Sequence, residues 1–301
     1  RWAVPSSSGS PDRIGAVFDA EQFTRRVGDA LRATVVDATR LGGGDVAESF
    51  RMRLDDERIV FAKTHRAPPP GFFPTEAAGL TWLRDSGAVA VPEVLSVDDD
   101  LLVLEWIAEG APTATTEADF GRALARLHRS GGPSFGRSDR RTTGSRRLPN
   151  DPCDTREEFY ATQRLVPLAR LARDADALPA ASVQRLEQVA DRLTELGGPA
   201  EPPARLHGDL WAGNRLVDAL GRSWLIDPAA HGGHREFDLA MMRLFGGFGS
   251  DCFAAYAEEY PLEEGHERRV PLHQLAPLVV HAIKFGGGYV GAVDQALLAL
   301  D

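Results

Sequence analysis

The chemistry in this chain is concentrated in His207-Gly208-Asp209-Leu210-Trp211-Ala212-Gly213-Asn214, followed thirteen residues later by Asp227 in Leu225-Ile226-Asp227-Pro228. The order His-x-Asp-x-x-x-x-Asn and then Asp is what phosphoryl transfer needs. One carboxylate orients the hydroxyl that accepts the phosphate, while an amide and a second carboxylate hold Mg²⁺ against the phosphates of ATP. Asp209 is the expected base, Asn214 and Asp227 the expected metal ligands, and His207 a support for the loop through hydrogen bonding. Aspartate and asparagine in a glycine-containing segment can also do nothing more than build a turn. The spacing of the whole set beside a Leu-Ile-Asp strand end favours the chemical reading.

A site of this kind needs elements that hold the nucleotide, and the first third of the chain supplies candidates. Apolar residues at mixed helical spacing (Val17, Phe18, Phe23, Val27, Leu31) predict an entry helix over 14–36. Leu41-Gly42-Gly43-Gly44-Asp45 then interrupts, residues 48–54 alternate as a half-buried strand, and residues 58–63 resume as the next strand after an Asp55-Asp56-Glu57 turn. A glycine hairpin with a lysine on the following strand could cradle phosphates through the backbone amides of Gly43, Gly44 and Asp45. No Gly-Lys-Ser/Thr follows the glycines and no helix opens after them, so neither a Walker A loop nor a Rossmann turn is indicated.

Lysine is rare here: of 34 basic residues only Lys63 and Lys284 are lysine. Lys63 closes the second strand. Residues 74–84 read as a helix with Ala77, Leu80 and Leu83 on one face, and Glu76 in its first turn could pair with Lys63 and aim the ammonium at ATP phosphates. A carboxylate placed there merely to favour the helix dipole is the alternative. Residues 101–106 form an apolar strand running into an acidic turn. The backbone of Glu105, Trp106 and Ile107 is the expected adenine contact.

Composition limits the remaining possibilities. With 301 residues and 43% hydrophobic content the chain can bury two real cores, and it is expected to divide into a leader over 1–13, an N-lobe over 14–107 and a helical C-lobe over 108–301. A net charge of -10 and a pI near 5.3 argue against nucleic acid and anionic membranes as partners. The nearly apolar run 275–283 contains Pro277 and His281 and is too short to span a bilayer. Two cysteines, Cys153 and Cys252, exclude a disulfide framework and fit a reducing cytoplasm.

Helices are predicted from residue 117, with Phe120, Leu124 and Leu127 as an apolar stripe and His128 as a packing or capping residue, and again near 155–173, 182–196, 236–244, 250–260 and 271–300. Arg137, Arg140, Arg141, Arg146 and Arg147 make a basic island in a loop, either solvated or a contact for phosphate or an acidic partner. His207, Asp209, His231, His234 and Asp238 could alternatively belong to a metal-dependent hydrolase, but no His-Glu-x-x-His pattern supports it.

Taken together, His207 to Asn214, Ile226-Asp227-Pro228-Ala229, the stretch from His231 to Ala240 with its Gly-His-Arg-Glu core, and Leu244-Phe245-Gly246-Gly247-Phe248 closely resemble the fructosamine kinase (ketosamine 3-kinase) family. Glu158-Phe159-Tyr160, Gln163-Arg164-Leu165, and Phe61-Ala62-Lys63 with Glu76 are also similar, so the resemblance covers nearly the whole chain after about residue 15. It implies an α+β, two-lobed protein-kinase-like fold, with a small sheet-containing N-lobe and a mainly helical C-lobe. It also implies ATP and Mg²⁺ as cofactors and transfer to a sugar hydroxyl of a small-molecule or protein-bound ketoamine, which then releases its amine. On that basis Trp211, His234 and Arg235 stand on the acceptor side, with Trp211 either a substrate wall or core packing. Aminoglycoside and choline kinases share His-Gly-Asp-x-x-x-x-Asn, so an aminoglycoside or amino-alcohol acceptor is the alternative; a nucleotide-binding pseudokinase is another. Some family members carry Cys in the glycine loop where this chain has Asp45.

Overall fold

In the computed structural model, which describes residues 20–42, 47–139 and 148–301, alternating burial builds an antiparallel sheet over one helix. Helix α1 (Ala20–Leu31) is followed by β1 (Val35–Leu41), β2 (Glu48–Leu54), β3 (Ile59–Thr64), helix α2 (Phe72–Arg84), β4 (Val94–Asp98) and β5 (Leu101–Glu105). The strand order is β1-β2-β3-β5-β4. Strand β3 alternates strictly, burying Val60, Ala62 and Thr64. Val60 and Ala62 join Phe23 and Val27 of α1 in the core on one face of the sheet. The period of two therefore turns Phe61 and Lys63 to the other face, where α2 lies.

Two features differ from the sequence reading. The entry helix stops at Leu31 rather than continuing to 36: Arg32 adopts a left-handed φ of 54° and the chain passes into β1. Strand β1 pairs only with β2, at the sheet's edge, and exposes most of its side chains, so it carries little alternation. Helix α2 begins two residues before Pro74, which sits where backbone N–H groups have no helical partner in any case, and Glu76 therefore lies in the second turn. The glycine-loop residues Gly43, Gly44 and Asp45 fall outside the described residues.

Beyond Glu105 the chain is mainly helical. Helix α3 (Thr116–Arg129) is followed by α4 (Arg156–Tyr160), which continues through one π-helical turn (Ala161–Leu165) into α5 (Val166–Asp174), and then by α6 (Ala180–Asp191) and α7 (Leu193–Leu196). Two small hairpin-like sheets pair β6 (Ala204–Leu206) with β9 (His231–Gly233), and β7 (Arg215–Val217) with β8 (Ser223–Leu225). Helices α8 (Glu236–Phe245), α9 (Ser250–Glu259), α10 (His266–Phe285) and α11 (Gly288–Leu298) complete the lobe.

One apolar cluster joins the two halves. Phe73, Leu80 and Leu83 of α2 and Leu102 and Leu104 of β5 pack with Leu124 and Leu127 of α3, Leu210 of the Asp209 loop, Leu225 and Met242. Burying such side chains contributes about 1.5–3 kcal/mol each, so the loop that carries Asp209 is pinned by the same core that holds the sheet. Within the Arg-rich loop, Arg137 is nearly buried, paired with Asp139 at 3.0 Å and donating to the Ala230 carbonyl, and is therefore not a solvated contact residue. Arg140, Arg141, Arg146 and Arg147 lie outside the described residues. Cys153 and Cys252 are both free and buried. No helix among the described residues is long and apolar enough to cross a membrane.

Candidate active site

Lys63 reaches across the cleft. Its Nζ donates to Glu76 Oε1 at 3.0 Å and to Asp227 Oδ1, so one ammonium ties β3, α2 and the segment after β8 together. The Lys63 and Glu76 side chains are only 13% and 12% exposed, whereas Asp227 is 44% exposed and faces the cleft. Burial opposes the charge on Lys63, but the two carboxylates outweigh it and keep the ammonium protonated. Burial is the largest influence on Asp227 too, and Lys63 overcomes it, holding that carboxyl below the ordinary carboxylate range. Burial raises Glu76 despite the pull of Lys63. Asp227 itself is left-handed, with φ of 51°. That conformation is uncommon outside glycine, and Asp tolerates it better than most residues.

The Asp209 loop hangs from one buried carboxylate. Asp238 accepts from the backbone N–H of His207 at 2.7 Å and of Gly208 at 2.9 Å, and it contacts His128 Nε2 at 3.2 Å. Burial works to protonate Asp238, but these partners, His128 first, carry its pKa below the ordinary value. His128 Nδ1 in turn meets the Tyr256 hydroxyl at 2.8 Å. His207 bridges the Asp209 and Asp227 segments, since its Nε2 lies 2.9 Å from the Ile226 carbonyl and its Nδ1 lies 3.2 Å from the Asp209 N–H. A carbonyl only accepts and an amide only donates, so this imidazole is the neutral Nε2–H tautomer. Burial, which pushes its pKa down, favours the same form.

Asn214 sits between the two aspartates. Its Nδ2 donates to the Asp209 carbonyl at 2.8 Å and to Asp209 Oδ2 at 3.3 Å, and lies 3.5 Å from the Asp227 carbonyl. With the amide nitrogen so engaged, the amide oxygen is the atom left for a cation. Asp209 is raised to about 6, first by burial and then by the neighbouring Asp227, while Asn214 and Lys284 pull it down. A carboxyl in that range can take a proton from a hydroxyl and return it near neutral pH. Next to it, Trp211 is exposed to 42%.

At the end of β5 the backbone is partly committed. The Glu105 N–H donates to the Glu93 carbonyl at 2.9 Å, and its carboxylate accepts from the Glu93 N–H and lies 3.7 Å from Arg84. That amide is consequently not open to adenine. Among the described residues the amides of Trp106 and Ile107 have no backbone partner.

Two expected substrate residues sit elsewhere. Arg235 is 2% exposed, and its guanidinium is taken up by Glu201 at 2.8 and 2.7 Å and by the carbonyls of Tyr260 and Pro261. His234 is buried and stacked on His273, with ring centroids 5.0 Å apart. The cavity it lines holds about 20 Å³, space for roughly one water and not for a sugar. Both side chains are enclosed by protein, and four of the five Arg235 N–H groups are engaged by Glu201, Tyr260 and Pro261.

His234, Glu236 and His273 also form a candidate metal cluster among the described residues. Both Glu236 oxygens are already held by Arg269, at 2.9 and 2.6 Å. The two imidazole planes are nearly parallel, at 13°, so their in-plane lone pairs do not meet at one ion. His231 and His207 bond to carbonyls instead. The polar network around the loop accounts for these histidines, and the hydrolase alternative has no centre.

Two groups of consequence were not visible as site residues in the sequence. Arg215, directly after Asn214, lies against the stacked pair of Phe120 and Phe248 and pairs with Glu117 at 2.5 Å, bracing the end of the loop. Asp238 was a motif member without a role. Its position at the start of α8, just after β9, is the signal that could have assigned it.

A family model described as fructosamine kinase matches residues 20–300. The chain belongs to the fructosamine kinase family. A probable ketoamine kinase of Thermus thermophilus is 37% identical over 262 residues, covering 87% of this chain and 93% of the relative. The crystal structure of a candidate fructosamine-3-kinase from Thermobifida fusca superposes with a TM-score of 0.87 at 39% identity, covering 94% of this chain and 99% of that one. A gentamicin–APH(2″)-IIa complex, at 14% identity and a TM-score of 0.65 with 94% of this chain and 97% of that chain covered, shares the fold alone. Family membership makes the protein a kinase, an ATP-dependent phosphotransferase with the two-lobed α+β fold.

Proposed function

We propose that this kinase phosphorylates a hydroxyl on the sugar portion of a ketoamine, the adduct of a sugar with an amine, and that the phosphorylated adduct then breaks down to release the amine. The observation that carries this reading is the convergence of Asp209, Asn214 and Asp227 on one side of the cleft, with Lys63 reaching Asp227 from the other. Asp209 accepts the hydrogen bond of the acceptor hydroxyl and orients it for in-line attack on the terminal phosphate of ATP. As the hydroxyl oxygen bonds to phosphorus, the bond from phosphorus to the bridging oxygen breaks and ADP leaves, while the hydroxyl proton passes to Asp209, whose raised pKa suits that step. Lys63, steered by Glu76, contributes positive charge at the phosphates.

Asn214 and Asp227 offer an amide oxygen and a carboxylate, hard oxygen donors that fit Mg²⁺. When bound, that ion neutralises phosphate charge and holds the chain of phosphates in place. The exposed indole of Trp211, beside the base, forms a wall for the sugar. The buried free thiols fit a reducing cytoplasm as the place of action.

The test is ATP consumption, with identification of the phosphorylated product, on ketoamines of several sugars set against aminoglycosides and choline. Ketoamines should be phosphorylated and should then release amine. Turnover confined to aminoglycosides or choline would discard the ketoamine reading and leave a kinase of another acceptor class.

A further inference from the structure

Trp211 is the exposed tryptophan among the described residues, at 42%, and its ring is seated rather than loose. It precedes a single 3₁₀ turn (Ala212–Asn214), and its carbonyl accepts the Asn214 N–H at 3.0 Å. A methyl group built on Gly213 would lie 2.5 and 2.7 Å from Cζ2 and Cζ3 of the indole and closer still to Cη2 between them. Three consecutive ring carbons at nearly one distance put that methyl over the face of the six-membered ring. An approach along the ring plane would leave the outer two carbons well behind the middle one. One face of the indole therefore rests on Gly213, and the opposite face is open to a ligand.

Nothing else calls for glycine there. Gly213 is not among the left-handed glycines, and the three atoms nearest to an added methyl all belong to the Trp211 ring. Alanine is the better residue in a helical turn, so the ring is what the glycine serves. The seat is also fixed relative to the base. Asn214, the next residue, donates from Nδ2 to Asp209 Oδ2 at 3.3 Å, and its carbonyl accepts the Ile226 N–H at 3.1 Å. On the far side Arg215 pairs with Glu117, whose other oxygen takes the Gly249 N–H at 2.8 Å. The indole thus lies on the same short turn that touches Asp209, and its open face keeps a set position beside that carboxylate.

We infer that Gly213 is a positioning residue for the acceptor: it seats one face of Trp211 so that the other is a fixed shelf for the C–H face of a cyclic sugar, with a ring hydroxyl delivered to Asp209. This rests on the acceptor role proposed above for Trp211 and identifies what sets it. A shelf at fixed height restricts the sugar to few poses, and a small displacement of the reacting hydroxyl is costly in rate. An open-chain amino alcohol has no such ring face, so the shelf favours ring-bearing acceptors.

Gly213→Ala should drive the indole off its seat, because the end of a side chain gives way before backbone does. The kcat/KM for the ketoamine that the wild type uses best should fall about tenfold, the scale of one aromatic contact. Affinity for a non-hydrolysable ATP analogue with Mg²⁺, titrated by calorimetry, should stay as in the wild type. In a Trp211→Ala background, where no ring remains to displace, the same glycine substitution should change kcat/KM by less than about twofold. An unchanged kcat/KM in the single variant, equal losses in both backgrounds, or weakened nucleotide binding overturns the inference; the last two would mean that the glycine serves the backbone of Asn214. Should Gly213→Ala alone fail to fold, the double variant must recover the melting temperature of Trp211→Ala, and failure to do so overturns it as well. No turnover of any ketoamine by the wild type removes the substrate reading and this inference together. Ketoamine turnover with additive losses removes only the role of Gly213.

Discussion

Replacing Asp209 with asparagine should lower turnover and raise stability in the same protein. The carboxyl titrates at about 6 in the fold against an ordinary 3.8, because burial and then Asp227 disfavour its ionised form more than Asn214 and Lys284 favour it. That difference corresponds to about 3 kcal/mol of penalty on the ionised folded state. Solvent reaches this half-buried side chain, and screening reduces the figure to about 1–2 kcal/mol. Below the ordinary value both folded and unfolded chains carry the proton, so the penalty is nil. It grows as pH rises toward about 6, where the unfolded chain has ionised and the folded one has not, and it is complete above. Asparagine never ionises and keeps the bond to Asn214 through its oxygen. Its gain in Tm should therefore be close to zero near pH 4 and roughly 2–3 °C near pH 8. Calorimetry of both proteins across that range, beside ATP turnover with a ketoamine, measures the two effects. Turnover should fall by about 10²-fold or more. A Tm gain of equal size at both ends, or a loss near pH 8, would refute the electrostatic argument, and near-normal turnover would remove Asp209 as base.

Three further outcomes follow from the same geometry. The acceptor kcat/KM of the wild type should fall about tenfold per pH unit below about 6, and a profile flat down to pH 5 would show that Asp209 does not act as the ionised base. Lys63→Met leaves Glu76 and Asp227 without their shared cation and should lower kcat/KM for ATP by about 10²-fold; a change confined to the acceptor KM would place Lys63 on the wrong side of the reaction. Asp238→Asn turns an amide N–H₂ toward one of the two backbone donors, His207 or Gly208, and should cost about 3–5 kcal/mol in chemical denaturation, with an unchanged midpoint ruling out the anchor role.

How far the sequence disclosed this site depends on how far apart its partners lie along the chain. Asp209 and Asn214 are five residues apart within one loop, so spacing alone carries their geometry, and Lys63 stood out by rarity and by its place in an alternating strand. Asp238 lies 31 residues from the His207 amide it accepts, and no local rule says which buried aspartate will take a particular backbone donor. The resemblance places Arg235 on the acceptor side, yet Glu201 at 2.7 Å takes up its charge in the interior. Among the folds of the chain, long amphipathic helices such as α3 announced themselves, whereas β6, β7, β8 and β9 are three residues each, shorter than one full alternation can reveal. Those short strands are nevertheless what brings the site together: β6 delivers His207 and β8 delivers Asp227.

The Lys63 bridge adds an energetic consequence to that architecture. Glu76 and Asp227 share one ammonium from different lobes and also act directly on each other. Removing either acid should strengthen the hold of Lys63 on the one that remains, and the effects of Glu76→Gln and Asp227→Asn on stability should not add. Residues in one ion-pair network couple by about 0.5–3 kcal/mol in a double-mutant cycle. Additive effects would mean that the two acids answer to different partners.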